Sequence, residues 1–335
     1  MPVARKVTIA DIARYVGMTN ITVSRALNRP ELVKPATRER IRQAATELGY
    51  VPNAFARALK RSDSRLIGVV TASIDNPFYA EMIKAISRHA KEHDYAIMLF
   101  DTDGDPGLES MAIDSLLSYQ AAGVILSPVS DEPGYQPDYM ARLEASSMAV
   151  VQLDRMLDSS DFSAVVLDNV SAGENAARYL LERMPKDSQC RLLVVAGPEQ
   201  SHITRQRLTG VKALLAQRSS RVVVDVLWGD YTLTPAYEAV KDYLLNAPPP
   251  AAIFGFNQLI TLGALRALRE RGVDYRSLGL VGIDRLPYLD IFGINVPCVV
   301  HDGYHAGREA LVLLLEQLSP NYRPRTVMVR GKLVM

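Results

Sequence analysis

From Arg65 onward the sequence repeats one pattern: a short, unbroken apolar run, an amphipathic helical stretch, then another apolar run. The runs are Leu66-Ile-Gly-Val-Val, Ala96-Ile-Met-Leu-Phe, Gly123-Val-Ile-Leu, Ala149-Val-Val-Gln-Leu, Arg191-Leu-Leu-Val-Val, Val222-Val-Val-Asp-Val, Ala252-Ile-Phe-Gly-Phe and Leu280-Val-Gly-Ile. Strands that are apolar throughout, rather than at every second residue, belong in parallel sheets covered by helices on both faces. Eight such units are many for one sheet and predict two doubly wound lobes, with a cleft at the carboxyl ends of the strands. The polar stretch 155–165 reads as the first crossing between lobes. That places lobe 1 at about 65–162 and 295–322, and lobe 2 at about 163–294 and 323–335.

The first 65 residues are of another kind. They hold 13 Lys/Arg against 5 Asp/Glu, a net of +8, while the remaining 270 hold 25 against 32, a net of −7. A small basic head on an acidic body points to a polyanion as the head's partner. The head reads as an all-α unit over 1–52. Thr8 caps a helix from Ile9 to Tyr15, Gly17 turns the chain with a positive φ, and Thr19 caps a second helix, Asn20 to Asn28. Two helices joined by a turn of three or four residues containing Gly have helix-turn-helix spacing. In that motif the first turn of the second helix meets base edges and its flanks hold phosphates. Asn20, Ile21, Thr22, Ser24 and Arg25 are the residues expected to point outward there. A third helix runs from Pro35 to Gly49. It is followed over 53–64 by an Ala-rich run too short to be a stable helix alone.

These residues resemble the lactose-repressor/galactose-repressor (LacI/GalR) family. The resemblance rests on Val7-Thr-Ile-Ala-Asp-Ile-Ala-Arg-Tyr-Val-Gly-Met-Thr, Thr22-Val-Ser-Arg, Thr37-Arg-Glu-Arg-Ile, Leu48-Gly-Tyr-Val-Pro-Asn53 and Arg65-Leu-Ile-Gly-Val. It implies a dimeric transcription regulator, most simply a repressor, that reads a pseudo-palindromic DNA operator. It also implies a two-lobed core like that of periplasmic sugar-binding proteins, hence an α/β fold behind the helix-turn-helix head. Asn20 and Ile21 then fall on the base-reading pair, and Arg25 on the base-reading arginine. Arg to guanine is the commonest specific contact of this kind. Thr8, Thr19 and Asn28 in the head, and Asn53, Arg57 and Lys60 in the hinge, complete the DNA-contacting set. Leu59 matches a leucine that the family wedges into the minor groove. Lys34 departs from the pattern, standing where a Ser or Asp often caps the third helix.

The loops at strand ends carry the chemistry of a polyol site. The resemblance places Phe78, Tyr79, Arg207, Tyr231, Asn257 and Asp284 on effector-contacting positions, and Asp154, Arg155 and Arg205 converge on the same loops. Gln258 replaces the usual Asp, and Ser201 and Ile203 argue against a purine. Three arginines favour a sugar phosphate or sugar acid, because guanidinium groups take such anions bidentately. Plainer alternatives exist: Tyr231 as interlobe packing, Arg155 paired with Asp154 or Asp158, Arg207 as a structural bridge, Asp284 as a helix cap. His301 and His305 read as hinge or dimer-face residues, since His-x3-His without further ligands is a weak metal signal.

Other classes fit less well. The sequence has no G-x-S-x-G elbow, P-loop, dinucleotide fingerprint or zincin motif, so no catalytic residue is expected, and no cofactor. No run approaches the ~18 apolar residues of a membrane helix, and no apolar run follows the basic N-terminus to make a secretory signal. The two cysteines, Cys190 and Cys298, lack metal-ligand spacing. A cytoplasmic protein without a membrane partner is expected. No leucine heptad follows Thr326-Val-Met-Val, which favours a homodimer over a coiled-coil tetramer.

Overall fold

The structure, a computed structural model, describes residues 7–51, 64–158, 160–185, 188–218, 221–320 and 322–335. Its contacts divide the chain into residues 1–64 and 65–335. The hinge residues Asn53, Arg57, Leu59 and Lys60 lie outside the described residues.

The head holds α1 (Ile9–Val16), α2 (Asn20–Asn28) and α3 (Pro35–Glu47). Thr8 and Asp11 form a reciprocal capping box, Asp11 accepting the Thr8 N–H at 2.9 Å. Gly17 ends α1 in the left-handed region at φ 67°, and Thr19 accepts the Thr22 N–H to start α2. Lys34 supplies no side-chain cap to α3, whose first turn starts on Pro35 instead. Ile12, Val16, Val23, Ala26, Ile41 and Ala45 form one buried core, so each helix contributes its apolar face to the other two.

In the second unit, lobe 1 carries β1 (Leu66–Thr71), β2 (Ala96–Asp101), β3 (Gly123–Leu126), β4 (Ala149–Leu153), β5 (Ser163–Leu167) and β11 (Thr326–Val329). Their order is β11-β5-β4-β3-β1-β2, and every pair is parallel. Its helices are α4 (Pro77–Glu92), α5 (Pro106–Ser118), α6 (Met140–Glu144) and α11 (Gly303–Gln317). Lobe 2 carries β6 (Cys190–Val195), β7 (Val222–Leu227), β8 (Ala252–Gly255), β9 (Gly279–Ile283), β10 (Cys298–Val300) and β12 (Lys332–Val334), with α7 (Asn169–Leu181), α8 (His202–Arg218), α9 (Leu233–Asn246) and α10 (Gln258–Glu270). Its order is β12-β10-β9-β8-β6-β7, and only β12 runs antiparallel. The central strands β3, β4 and β8 are buried at every residue, as their unbroken apolar runs require.

The expected lobe boundaries need three corrections. Residues 163–167 pair with β4 and belong to lobe 1, because the polar stretch 155–165 is a loop inside that lobe. Residues 298–300 pair with β9 and belong to lobe 2. The segment 326–329 pairs with β5 and returns to lobe 1, leaving only 332–334 in lobe 2. The chain therefore crosses between lobes after Leu167, Val300 and Val329. Among the described residues no helix is long and apolar enough to cross a membrane.

Candidate functional site

On the head, α2 leaves Asn20, Ile21 and Arg25 exposed, and Ile21 is 64% exposed despite its apolar side chain. Thr22 and Ser24 are half-buried. Thr19 and Thr22 share a hydroxyl contact of 2.9 Å, and the Asn28 amide donates to the Ser24 carbonyl at 2.9 Å, so these groups stiffen the helix that carries the exposed trio. Arg40 donates to the Val16 carbonyl at 3.1 Å and ties α3 to the end of α1.

In the core, the ends of strands from both lobes surround a cleft. Its walls include Phe78, Tyr79, Asp154, Arg155, Arg207, Tyr231, Asn257 and Asp284, eight of the nine residues expected there. Arg205 is the exception. It sits on the exposed side of α8, donating to the Glu199 carbonyl at 3.2 Å and to the Gln200 side chain. A helix turns about 100° per residue, so positions 205 and 207 cannot share a face. Asn76, Leu167 and Ile203 complete the wall.

The lobe 1 side is a buried polar chain. Tyr79 donates its hydroxyl to Asp154 Oδ2 at 2.9 Å and exchanges a second 2.9 Å bond with Ser127. Burial pushes the Asp154 carboxyl above the ordinary carboxylate range, opposed by the Arg207 and Arg155 charges. Burial, then the Asp154 charge, likewise holds the Tyr79 phenol above the ordinary tyrosine range. Asp154 Oδ1 is buried with no hydrogen-bond partner. Arg155 does not pair with Asp158; its Nη1 donates to the Pro128 and Val129 carbonyls at 3.2 and 2.6 Å. Its guanidinium also lies 5.3 Å from the centre of the Tyr231 ring in lobe 2.

On the lobe 2 side, Arg207 donates Nε to Asn169 Oδ1 at 2.9 Å and Nη1 to the Phe256 carbonyl, which fixes its plane while leaving Nη2 for the cleft. Asn257 commits both ends of its amide: Oδ1 caps α10 through the Ile260 N–H at 2.7 Å, and Nδ2 donates to the Tyr231 carbonyl at 2.8 Å. The Tyr231 hydroxyl contacts Ser201 and Thr204 at 2.6 and 2.7 Å. Asp284 Oδ1 accepts the His301 main-chain N–H at 2.9 Å and lies 3.0 Å from His301 Nδ1. His301 is thus a buried support for Asp284 at the second lobe crossing. Gln258 turns away to donate to the Arg285 carbonyl at 2.7 Å. Asn169 and the supporting role of His301 were not legible in the sequence, because each holds a cleft residue that is distant in sequence and nothing local marks it.

Comparison with known proteins agrees with both units. Residues 8–53 match the family model of bacterial regulatory proteins, lacI family, and residues 64–292 match that of periplasmic binding proteins and sugar binding domain of LacI family. The HTH-type transcriptional repressor CytR of Escherichia coli K12 is 30% identical over 318 residues, covering 93% of this chain and 89% of its own. The HTH-type transcriptional regulator PtxS of Pseudomonas aeruginosa is 30% identical over 329 residues, covering 97% and 93%. Among solved structures, a Lac repressor dimer bound to operator and the anti-inducer ONPF superposes with a TM-score of 0.82 at 23% identity, over 99% of this chain and 98% of that one. The transcriptional regulator CelR in complex with cellobiose superposes at 0.69 with 25% identity, over 98% and 99%. With family models matched over residues 8–53 and 64–292 and a relative 30% identical over 93% of the chain, this chain belongs to the LacI family of DNA-binding transcriptional regulators and is not an enzyme.

Proposed function

We propose that the chain is a repressor that binds a pseudo-palindromic operator as a homodimer, and that a neutral, sugar-type ligand in the interlobe cleft sets its operator affinity. Asn20, Ile21 and Arg25 read bases, and the capped starts of α1 and α2 hold phosphates. The Lac repressor structure that this chain resembles is a dimer bound to operator, which supports the same arrangement here.

The observation that carries the ligand reading is the cleft's charge balance around an unsatisfied acceptor. Two carboxylates, Asp154 and Asp284, face two guanidinium groups, Arg155 and Arg207. Asp154 Oδ1 is buried without a donor, and a sugar hydroxyl would supply one. The sequence favoured a sugar phosphate or sugar acid on the strength of three arginines, but Arg205 is outside the cleft. The amides that start α8, the natural seat for a phosphate, already face a carboxylate, that of Asp131. Phe78 and the Tyr231 ring offer apolar faces to a pyranose or furanose.

Calorimetry on the full chain with matched pairs (glucose and glucose 6-phosphate, ribose and ribose 5-phosphate, gluconate as the acid) tests the reading. A neutral member binding at least about tenfold more tightly than its charged partner is expected. A phosphorylated or carboxylated member binding more tightly would overturn it and restore the anionic effector.

A further inference from the structure

We propose that Asp131 is a positioning residue that latches the two lobes together before any ligand arrives. Asp131 lies in the lobe 1 loop between β3 and α6, 5% exposed. Its Oδ2 accepts the Ser201 hydroxyl at 3.1 Å and the Ile203 main-chain N–H at 2.9 Å, both at the start of α8 in lobe 2. Ser201, the residue just before the helix, accepts the Thr204 N–H at 3.4 Å, as an N-cap does. The Ile203 N–H of the same first turn is satisfied instead by a carboxylate some 70 positions upstream, from the opposite lobe. The carboxylate also meets the positive end of the helix dipole. Ser201 and Ile203 are 2% and 5% exposed, so water does not compete freely for these bonds.

The latch bears on the cleft from both sides. One turn beyond Ile203, α8 carries Arg207, and Ser201 and Thr204 hold the Tyr231 hydroxyl. On the lobe 1 side the loop is braced from behind: buried Glu109 accepts the Val129 N–H and the Tyr139 hydroxyl, each at 2.6 Å. The Val129 carbonyl in turn receives Arg155. One loop therefore orients Arg155 and fastens the helix that presents Arg207. Because the latch needs nothing in the cleft, it stands whether the ligand is neutral or charged.

The test measures lobe separation in the full, ligand-free chain. Nitroxides are placed by Glu144→Cys on α6 and Lys212→Cys on α8, both exposed, and the labelled chain is diluted with unlabelled chain. With Asp131 intact, pulsed electron resonance should give one narrow distance distribution. Asp131→Ala should add a second, more widely separated population, the open-to-latched ratio rising about tenfold or more. Asp131→Asn, whose amide oxygen can still accept both bonds, should keep the parent distribution. An Asp131→Ala distribution that superposes on the parent would overturn the proposal. If that variant fails to fold, Ser201→Ala decides by the same measurement: a second population supports the latch and an unchanged distribution overturns it.

Discussion

Asp154 and Asp284 occupy matching places in the two lobes. Each immediately follows a strand, β4 and β9, and each holds a left-handed backbone, with φ of 69° and 60°. Each main-chain N–H donates at 2.8 Å to the neighbouring strand, Asp154 to the Val165 carbonyl and Asp284 to the Val299 carbonyl. The same turn is built twice, and it aims one carboxylate from each lobe into the shared cleft. Asp and Asn tolerate this backbone better than other residues with a Cβ.

Charge and backbone can therefore be separated at these two positions. Asp154→Asn and Asp284→Asn should fold with little loss of stability, yet bind the effector at least about tenfold more weakly, since a charge-assisted bond becomes a neutral one. The corresponding Ala variants should lose a further ~1 kcal/mol of stability for the left-handed backbone. Thermal melts and calorimetry check both parts. Asn variants with parental affinity would remove the carboxylates from ligand binding.

The raised titration of Asp154 gives a pH dependence with a definite sign. Its folded form binds a proton more readily than the unfolded chain does, so ionising it costs stability as pH rises through the carboxylate range. The ionised form accepts ligand hydroxyls more strongly than the protonated one. Effector affinity should therefore fall on acidification, starting above the pH at which an ordinary aspartate titrates. Buried Glu109 is shifted in the same direction, so the assignment needs Asp154→Asn. That variant should bind weakly with a flatter acid limb, and an acid limb unchanged in it would place the titration elsewhere.

How much of this was legible beforehand depends on whether a residue's role is local. Thr8, Gly17 and Thr19 act within a few residues of themselves, and the capped two-helix head follows from them directly. The eight apolar runs mark eight strands: β3, β4 and β8 are buried at every residue, and the edge strands β2 and β7 keep an apolar run although they are only partly buried. Ser163–Leu167 begins inside the polar stretch 155–165 and Cys298–Val300 has only three residues, and the lobe of each is decided by its pairing partner, not by its own sequence. The cleft side chains sit at strand ends, where the doubly wound fold puts them. Arg205 was misplaced because closeness in sequence to Arg207 ignores the helical turn between them. Asp131 and Glu109 act through space across a loop, and no spacing announces them.

Glu109 is the residue on which the cleft loop rests. It is fully buried and accepts from Val129, Tyr139 and, at 3.5 Å, Tyr135. Glu109→Ala would strand buried donors, at a cost of roughly 3 kcal/mol or more. Glu109→Gln keeps an acceptor and should lose about half of that. Denaturant unfolding of both variants provides the measure, and an Ala variant as stable as the parent would deny the loop its support.

The head makes a separable prediction about specificity. Arg25 is exposed on α2, and Arg38 is exposed on α3. Arg25→Ala should weaken operator binding and relax the preference at one base pair per half-site, by about 1–3 kcal/mol. Arg38→Ala should weaken operator and random DNA alike and lower the salt dependence by about one ion. Gel shifts across salt with operator and scrambled DNA separate the two. Equal losses on both DNAs for both variants would sink a base-reading role for Arg25.

The placement of Arg207 depends on a residue that never faces the cleft. Helices α7 and α8 pack so closely that a Cβ on Gly173 would collide with the Arg207 carbonyl, and one on Gly210 with the Val170 carbonyl. Backbone meets backbone on both sides, so no flexible side chain can give way. Gly173→Ala must push α8 outward, carrying Arg207 away from Asn169 and the Phe256 carbonyl. Overpacking of this kind costs about 1–3 kcal/mol of stability. Effector affinity should fall at least about tenfold with it, because even a displacement of about 1 Å is enough to spoil a guanidinium fork. DNA binding by the head should persist, since α1 to α3 form their own core. A Gly173→Ala chain that melts lower but binds effector like the parent would show that Arg207 does not need this backing to engage its ligand.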